Sequence, residues 1–209
     1  MPFRPGRVEL GWHRSSARNW QSYTQRDDTG VGALAKDVTA RKLFRFLPRQ
    51  SAVVIKARSN VGPITFVTGS INGEIGIEVS DEGDIVLDDD ISARLEIPLG
   101  TLTSGNVLYD AEILRRVDAR RFPLAIVELI SLSRIGSTNG YELSGTVTMH
   151  GVTRPIEGTV SAEFSTPSTV VVTGEQVVDI REFELGVPST FMLKIYPDVW
   201  IEMHLEAEA

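Results

Sequence analysis

The chain contains no cysteine among its 209 residues. This absence excludes disulfide bonds, thiolate metal centres and cysteine nucleophiles. No apolar run approaches the roughly 20 residues that a membrane-spanning helix requires. The first residues, Met-Pro-Phe-Arg-Pro-Gly-Arg, hold no apolar core of a secretory signal. We therefore expect a cytoplasmic protein.

Catalytic and metal-binding signals are scarce. The histidines are His13, His150 and His204. No phosphate-binding loop ending in Gly-Lys-Ser/Thr and no Gly-x-Ser-x-Gly nucleophile elbow occurs. His204 alternates with Glu202 and Glu206, a set that either binds a metal or forms a solvated polar face. We favour the solvated face, and we predict no metal, no cofactor and no catalytic residue.

Charge divides the chain into two parts. Residues 1–50 carry a net charge of +6, whereas residues 51–209 carry −13. An acidic body disfavours nucleic acid as a partner, because phosphate contacts need a positive surface. We predict that residues 1–40 form a basic N-terminal arm, in which Trp12, Trp20 and Tyr23 lie among arginines. Such an arm suits an anionic membrane surface, a protein partner or its own domain, and a mobile solvated arm is the alternative.

Apolar residues recur at every second position through most of residues 41–209. Clear examples are residues 141–150, 152–164 and 199–207. This period is typical of half-buried strands. The pair Asn72-Gly73 either lies within a strand or forms a tight turn. We predict an all-β fold, an antiparallel β-barrel of about eight strands, because a closed barrel leaves no exposed edge.

One or two short helices interrupt this pattern. Helical spacing links Val107, Asp110, Ile113, Leu114 and Val117. Ser104 is the expected N-cap, and Pro123 ends the run. A second helical turn is expected near residues 179–185, and part of residues 33–47 is expected to be helical.

Residues 145–156, Gly-Thr-Val-Thr-Met-His-Gly-Val-Thr-Arg-Pro-Ile, resemble the signature of the YceI-like family. Other pieces follow in the family's order: residues 43–48 with Ser51, the helix start at Asp110, the Phe122-Pro123 step and residues 180–183. The resemblance covers about four-fifths of the chain. The family's helix usually starts Arg-Asp-x-His-Leu, and here Tyr109 and Glu112 replace the arginine and the histidine.

The resemblance implies a lipocalin-like barrel with an apolar cavity that binds polyisoprenoid lipids, such as isoprenoid quinones. The expected function is non-enzymatic binding or carrying of an apolar isoprenoid-type lipid. Inward positions of the strands predict the lining as Phe66, Ile75, Ile77, Leu95, Val147, Met149, Val160, Ile201 and Met203. Polar groups near the mouth are predicted to be Asp110, His150 and Arg181. Burial of prenyl carbons would supply about 25 cal/mol per Å² of apolar area.

Two alternatives stay open. Inward small residues, among them Gly73, Ala93, Gly145, Gly158 and Ala162, either leave room for a ligand or permit close packing. A filled barrel would favour a protein-interaction module that uses the basic arm. A small-molecule enzyme at the barrel mouth, with His150, is the other alternative. The sequence leaves open whether the protein is a monomer or a homodimer.

Overall fold

The computed structural model describes residues 40–80, 85–87, 91–136, 139–185 and 194–209. The strands in these ranges are β1 (Ala40–Phe46), β2 (Ala52–Ser59), β3 (Gly62–Thr68), β4 (Asn72–Val79), β5 (Ile85–Val86), β6 (Ser92–Pro98), β7 (Leu124–Arg134), β8 (Gly140–Met149), β9 (Val152–Thr166), β10 (Thr169–Asp179) and β11 (Ile195–Glu208). The helix α1 spans Val107–Arg116, and 3₁₀ turns span Leu99–Thr101 and Ile180–Phe183. The predicted arm, residues 1–40, lies outside the described residues except for Ala40. The helix in the described part of the chain is not long and apolar enough to cross a membrane.

Eight strands close into a ring, which confirms the predicted antiparallel barrel. The order is β1-β4-β6-β7-β8-β9-β10-β11, and β11 returns to β1. The seam between β1 and β11 consists of two residue pairs, Arg45 with Glu208 and Phe46 with Ala207. The hairpin of β2 and β3 pairs with the earlier part of β11 and lengthens the barrel at one end.

Buried and exposed side chains alternate along these strands, as expected. In β3, Ile64, Phe66 and Thr68 are buried, whereas the residues between them are exposed. Gly73 lies in β4, which settles the open choice in favour of a strand. Its φ is +128°, and a Cβ there would lie 2.0 Å from the carbonyl oxygen of Arg94. Only glycine fits where two backbones approach so closely.

The predicted N-cap of α1 was wrong. Asn106 caps the helix, because its side chain accepts hydrogen bonds from the backbone N–H groups of Leu108 and Tyr109. Gly105, at φ +77°, turns the chain just before this cap. Ser104 therefore lies too early to cap the helix and instead donates from its backbone N and its Oγ to Asp110 Oδ1, both at 2.6 Å.

The expected helix within residues 33–47 is also wrong for its described part. Residues 40–46 form β1, which pairs with β4. Phe44 and Phe46 are buried, whereas Leu43 before them and Arg45 between them are exposed, as the period of a strand requires. The second expected helical turn is present as the 3₁₀ turn at Ile180–Phe183.

The barrel interior contains two large apolar clusters. The cavity half is built around Phe44, Phe46, Ile77, Leu95, Tyr141, Val160, Val170 and Leu205. The packed half is built around Ile64, Phe66, Leu99, Leu102, Val117, Ala125, Phe183 and Leu185. Tyr109 and Ile113 of α1 pack against the packed half, so the helix covers that end of the barrel.

Candidate functional site: an apolar cavity in the barrel

The cavity half contains an empty space. The volume of this cavity is about 170 Å³. The wall is almost entirely carbon, because all eight strands of the ring turn apolar side chains toward it. Representative wall residues are Phe46, Tyr141, Leu143, Val172 and Leu205. An apolar space of this kind suits an apolar ligand.

Small residues keep this half hollow. Ala93, Gly145, Gly158 and Ala162 all line the cavity. At Gly145 an added Cβ would lie 2.4 Å from the carbonyl oxygen of Glu128, so the glycine also permits close contact of two strands. Both readings left open by the sequence therefore hold at this residue: it leaves room inward and allows a tight wall.

Five of the nine predicted lining residues lie along the cavity wall. They are Ile75, Ile77, Leu95, Val160 and Met203. Their contact with a ligand stays a prediction.

The other four lie elsewhere. Phe66, Val147 and Met149 belong to the packed half, and Ile201 packs beside the cavity half without lining the cavity. On β8 the inward row runs from Tyr141 through Gly145 to Met149, so one strand face serves both halves. Alternation gives the inward face, but it does not say where along the bore the space lies.

Asp110 joins α1 to the preceding loop. Its carboxylate accepts hydrogen bonds from Ser104 and from Thr103 Oγ1, the latter at 2.8 Å. These bonds favour the charged form, and the side-chain bond from Ser104 contributes most to holding the pKa of Asp110 below its usual value. Asp110 does not line the cavity, and it serves the helix start.

His150 and Arg181 also have structural partners. His150 adopts a φ of +55° in the turn between β8 and β9. Its ring packs against Phe122 with 4.8 Å between centroids, and its Nδ1 lies 3.3 Å from the carbonyl oxygen of Phe183. Arg181 donates to the carboxylate of Asp179, and this bond lowers the pKa of that carboxyl. Neither side chain lines the cavity.

The described residues contain no cluster of three or more metal-ligating side chains. Glu202 pairs with Lys56 on the outer face of the barrel. This contact is typical of the solvated polar face expected for β11.

Comparisons with known proteins agree with this architecture. A family model described as YceI-like domain matches residues 44–207. The chain belongs to the YceI-like family. A comparison with curated protein sequences finds no match.

Two solved structures share the fold of this YceI-like chain. BcnA of Burkholderia cenocepacia aligns with a TM-score of 0.64 and 17% identity, over 77% of this chain and 98% of its own. A polyisoprenoid binding domain from Saccharophagus degradans, implicated in plant cell wall breakdown, aligns with a TM-score of 0.64 and 16% identity, over 80% of this chain and 99% of its own. At such identities the likeness shows the fold.

Proposed function

We propose that this protein binds an isoprenoid-type lipid in the cavity and carries it without chemical change. The carbon-lined cavity inside a closed barrel carries this proposal. Each Å² of prenyl surface moved from water to such a wall gains about 25 cal/mol, and no catalytic group is needed. The similar domain from Saccharophagus degradans, which is named for polyisoprenoid binding, supports the same ligand class.

The polar groups favour a carrier over an enzyme. Asp110 is held by Thr103 and Ser104, and His150 packs against Phe122. A general acid or base needs to reach a substrate, and neither group faces the cavity. The cavity also disfavours the alternative of a filled barrel that serves only protein contacts.

Retinol tests the proposal, because it is an isoprenoid alcohol whose fluorescence rises in an apolar site. We expect saturable binding by the full chain. Val172 lines the cavity, whereas Thr173, next to it on β10, is exposed. Val172→Phe should weaken retinol binding at least tenfold by filling the space, and Thr173→Phe is the matched control that should leave binding unchanged. Equal retinol affinities of the two variants would contradict the proposal.

Native mass spectrometry of gently purified protein supplies an independent readout. We expect a bound mass that organic solvent removes, and Val172→Phe should carry less of it than Thr173→Phe. Contacts of residues 1–40 with a membrane or a protein, a homodimer and a cytoplasmic location stay predictions.

A further inference from the structure

The wall of the barrel is open between β9 and β10. The two strands pair from Thr166 opposite Thr169 down to Val160 opposite Gly174. Both strands then continue without pairing to each other, β9 through residues 152–159 and β10 through residues 175–179. Each keeps its other neighbour, since β9 still pairs with β8 and β10 still pairs with β11. The ring therefore splits along one side, and we name this opening, between residues 155–159 and 175–179, the side slot.

The side slot has two closed ends. At one end it stops where Val160 pairs with Gly174. At the other end Arg154 Nε, on β9, donates to the carbonyl oxygen of Glu182 at 2.9 Å. Glu182 lies in the 3₁₀ turn that follows β10. The opening is thus a bounded window in the wall.

The side slot leads into the cavity. Ile156 and Gly158 on one edge and Gln176 on the other all line the cavity. Gln176 continues the row of Val172 and Gly174, which faces inward, yet it is exposed. A side chain on an inward row reaches water only where the wall is open.

Gln176 lies across the side slot. A Cβ added at Gly158 would come within 3.1 Å of Gln176 Oε1, so the amide reaches the opposite edge. Its Nε2 donates to the carbonyl oxygen of Val177 at 3.3 Å, a bond within its own strand. The side chain therefore covers the opening without a hydrogen bond that ties β10 to β9.

The packed half fills one end of the bore. Phe66 and Phe183 are buried in the packed half, and α1 covers that end. In the cavity half the rings of Phe44 and Phe164 contact each other with 5.8 Å between centroids. Both rings belong to the packing around the cavity without lining it.

We propose that the lipid enters and leaves the cavity sideways through the side slot, and that the Gln176 side chain, which covers this opening, must move aside for the lipid to pass. This inference rests on the proposed function. The unpaired backbone N–H and C=O groups of the two edges, with the Gln176 amide, supply hydrogen bonds for a polar head group while the tail fills the cavity. Exposed Glu157 and Glu175 flank the opening with two negative charges, against the one positive charge of Arg154 at its end, so the opening repels an anionic head. The ligand class is therefore an isoprenoid with an uncharged polar head, such as an alcohol or a quinone.

The lack of native cysteine makes a direct test available. Gly158→Cys with Gln176→Cys places the only two thiols on opposite edges of the slot, where a short, reducible bis-methanethiosulfonate reagent can bridge them. Ser161→Cys with Thr173→Cys is the matched control, because these residues pair across the same two strands just beyond the slot. Retinol uptake and release are followed by stopped-flow fluorescence on the full chain.

We expect the bridge across the slot to slow uptake and release at least tenfold, and reduction to restore both rates. The control bridge should leave them unchanged. Equal rates with and without the slot bridge, in protein that binds retinol at equilibrium, would overturn the side entry alone. Failure of the unmodified chain to bind retinol would overturn the proposed function and this inference with it.

Two further measurements test the role of Gln176 and the preference for an uncharged head group. Gln176→Ala should speed uptake and release severalfold, and unchanged rates would overturn the role of Gln176. Retinoate carries the same tail as retinol with a carboxylate head, and it should enter more slowly. Glu157→Gln with Glu175→Gln should reduce that difference. Equal rates for retinol and retinoate in the native chain would overturn the preference for an uncharged head.

Discussion

The two halves of the bore use the same strands but reach different packing. On β6 and the turn after it, Leu95 lines the cavity, whereas Leu99, four residues later, belongs to the packed half. The packed half receives Phe66 from the added hairpin and Phe183 from the 3₁₀ turn, and α1 covers it. The cavity half receives small residues such as Ala93 and Gly145. The comparison shows that extra elements fill one half, while small inward residues leave the other half hollow.

The largest expected difference between the two halves is in the free energy of unfolding after truncation of Leu95 or Leu99. Leu99 is 3% exposed and Leu95 is 7% exposed, so both are buried in the folded chain. Leu99→Ala should lower the free energy of unfolding by about 4 kcal/mol, because dense packing cannot collapse around the new void. Leu95→Ala should lower it by about 2 kcal/mol, because Leu95 already borders empty space. Urea denaturation measures both values.

Retinol binding supplies the control for this pair. Leu95→Ala should change the affinity, since it alters the cavity wall, and Leu99→Ala should not. Equal destabilisation by the two substitutions would contradict the division into a hollow and a filled half.

Two glycines of the cavity wall give a smaller contrast. An alanine at Gly145 would meet the Glu128 carbonyl oxygen at 2.4 Å, a backbone atom that cannot move without shifting β7. Gly145→Ala should therefore cost about 2–3 kcal/mol. An alanine at Gly158 meets only the end of the Gln176 side chain, at 3.1 Å, so Gly158→Ala should change stability by less than about 0.5 kcal/mol. Thermal unfolding of the two variants checks this, and similar melting temperatures would argue that the wall is as open at Gly145 as at the side slot.

The smallest expected effect concerns α1, the helix that covers the packed half. Hydrogen bonds from Ser104 and Thr103 lower the pKa of Asp110 in the folded chain, so its charged form stabilises the start of α1. This contribution is complete above the ordinary aspartate pKa and is lost as the pH falls through the lower folded value. The difference in unfolding free energy between the native chain and Asp110→Asn should therefore shrink from pH 7 toward pH 2. A constant difference across this range, measured by urea titration, would contradict the role assigned to the carboxylate.

Much of the fold could be predicted from the sequence because alternation is a local property. The inward rows of β9 and β11 follow directly from residues such as Val160 and Met203. The residues 145–156 also indicated the family on local grounds, through a strand, a turn and a second strand. These features depend on neighbours in the sequence, so the sequence alone predicts them.

The cavity's position and the side slot depend on distant pairings that no local pattern records. Val147 faces inward like Gly145. Its surroundings are filled because the 3₁₀ turn and the hairpin, which are distant in sequence, pack at that end of the barrel. Residues 152–159 have the pattern of a paired strand, although only one edge of that strand is paired there. Likewise, Ser104 and Asn106 are both good capping residues, and the turn at Gly105 decides between them.

The narrow seam of the barrel has a consequence for its synthesis. Only two residue pairs join β1 to β11, and they bring Phe46 beside Ala207. A ribosome makes β1 first among the barrel strands and β11 last, so the nascent chain cannot complete its ring until translation of this domain is nearly finished. Until then its rows of apolar side chains remain exposed to water, which is the condition under which chaperones bind unfinished sheets.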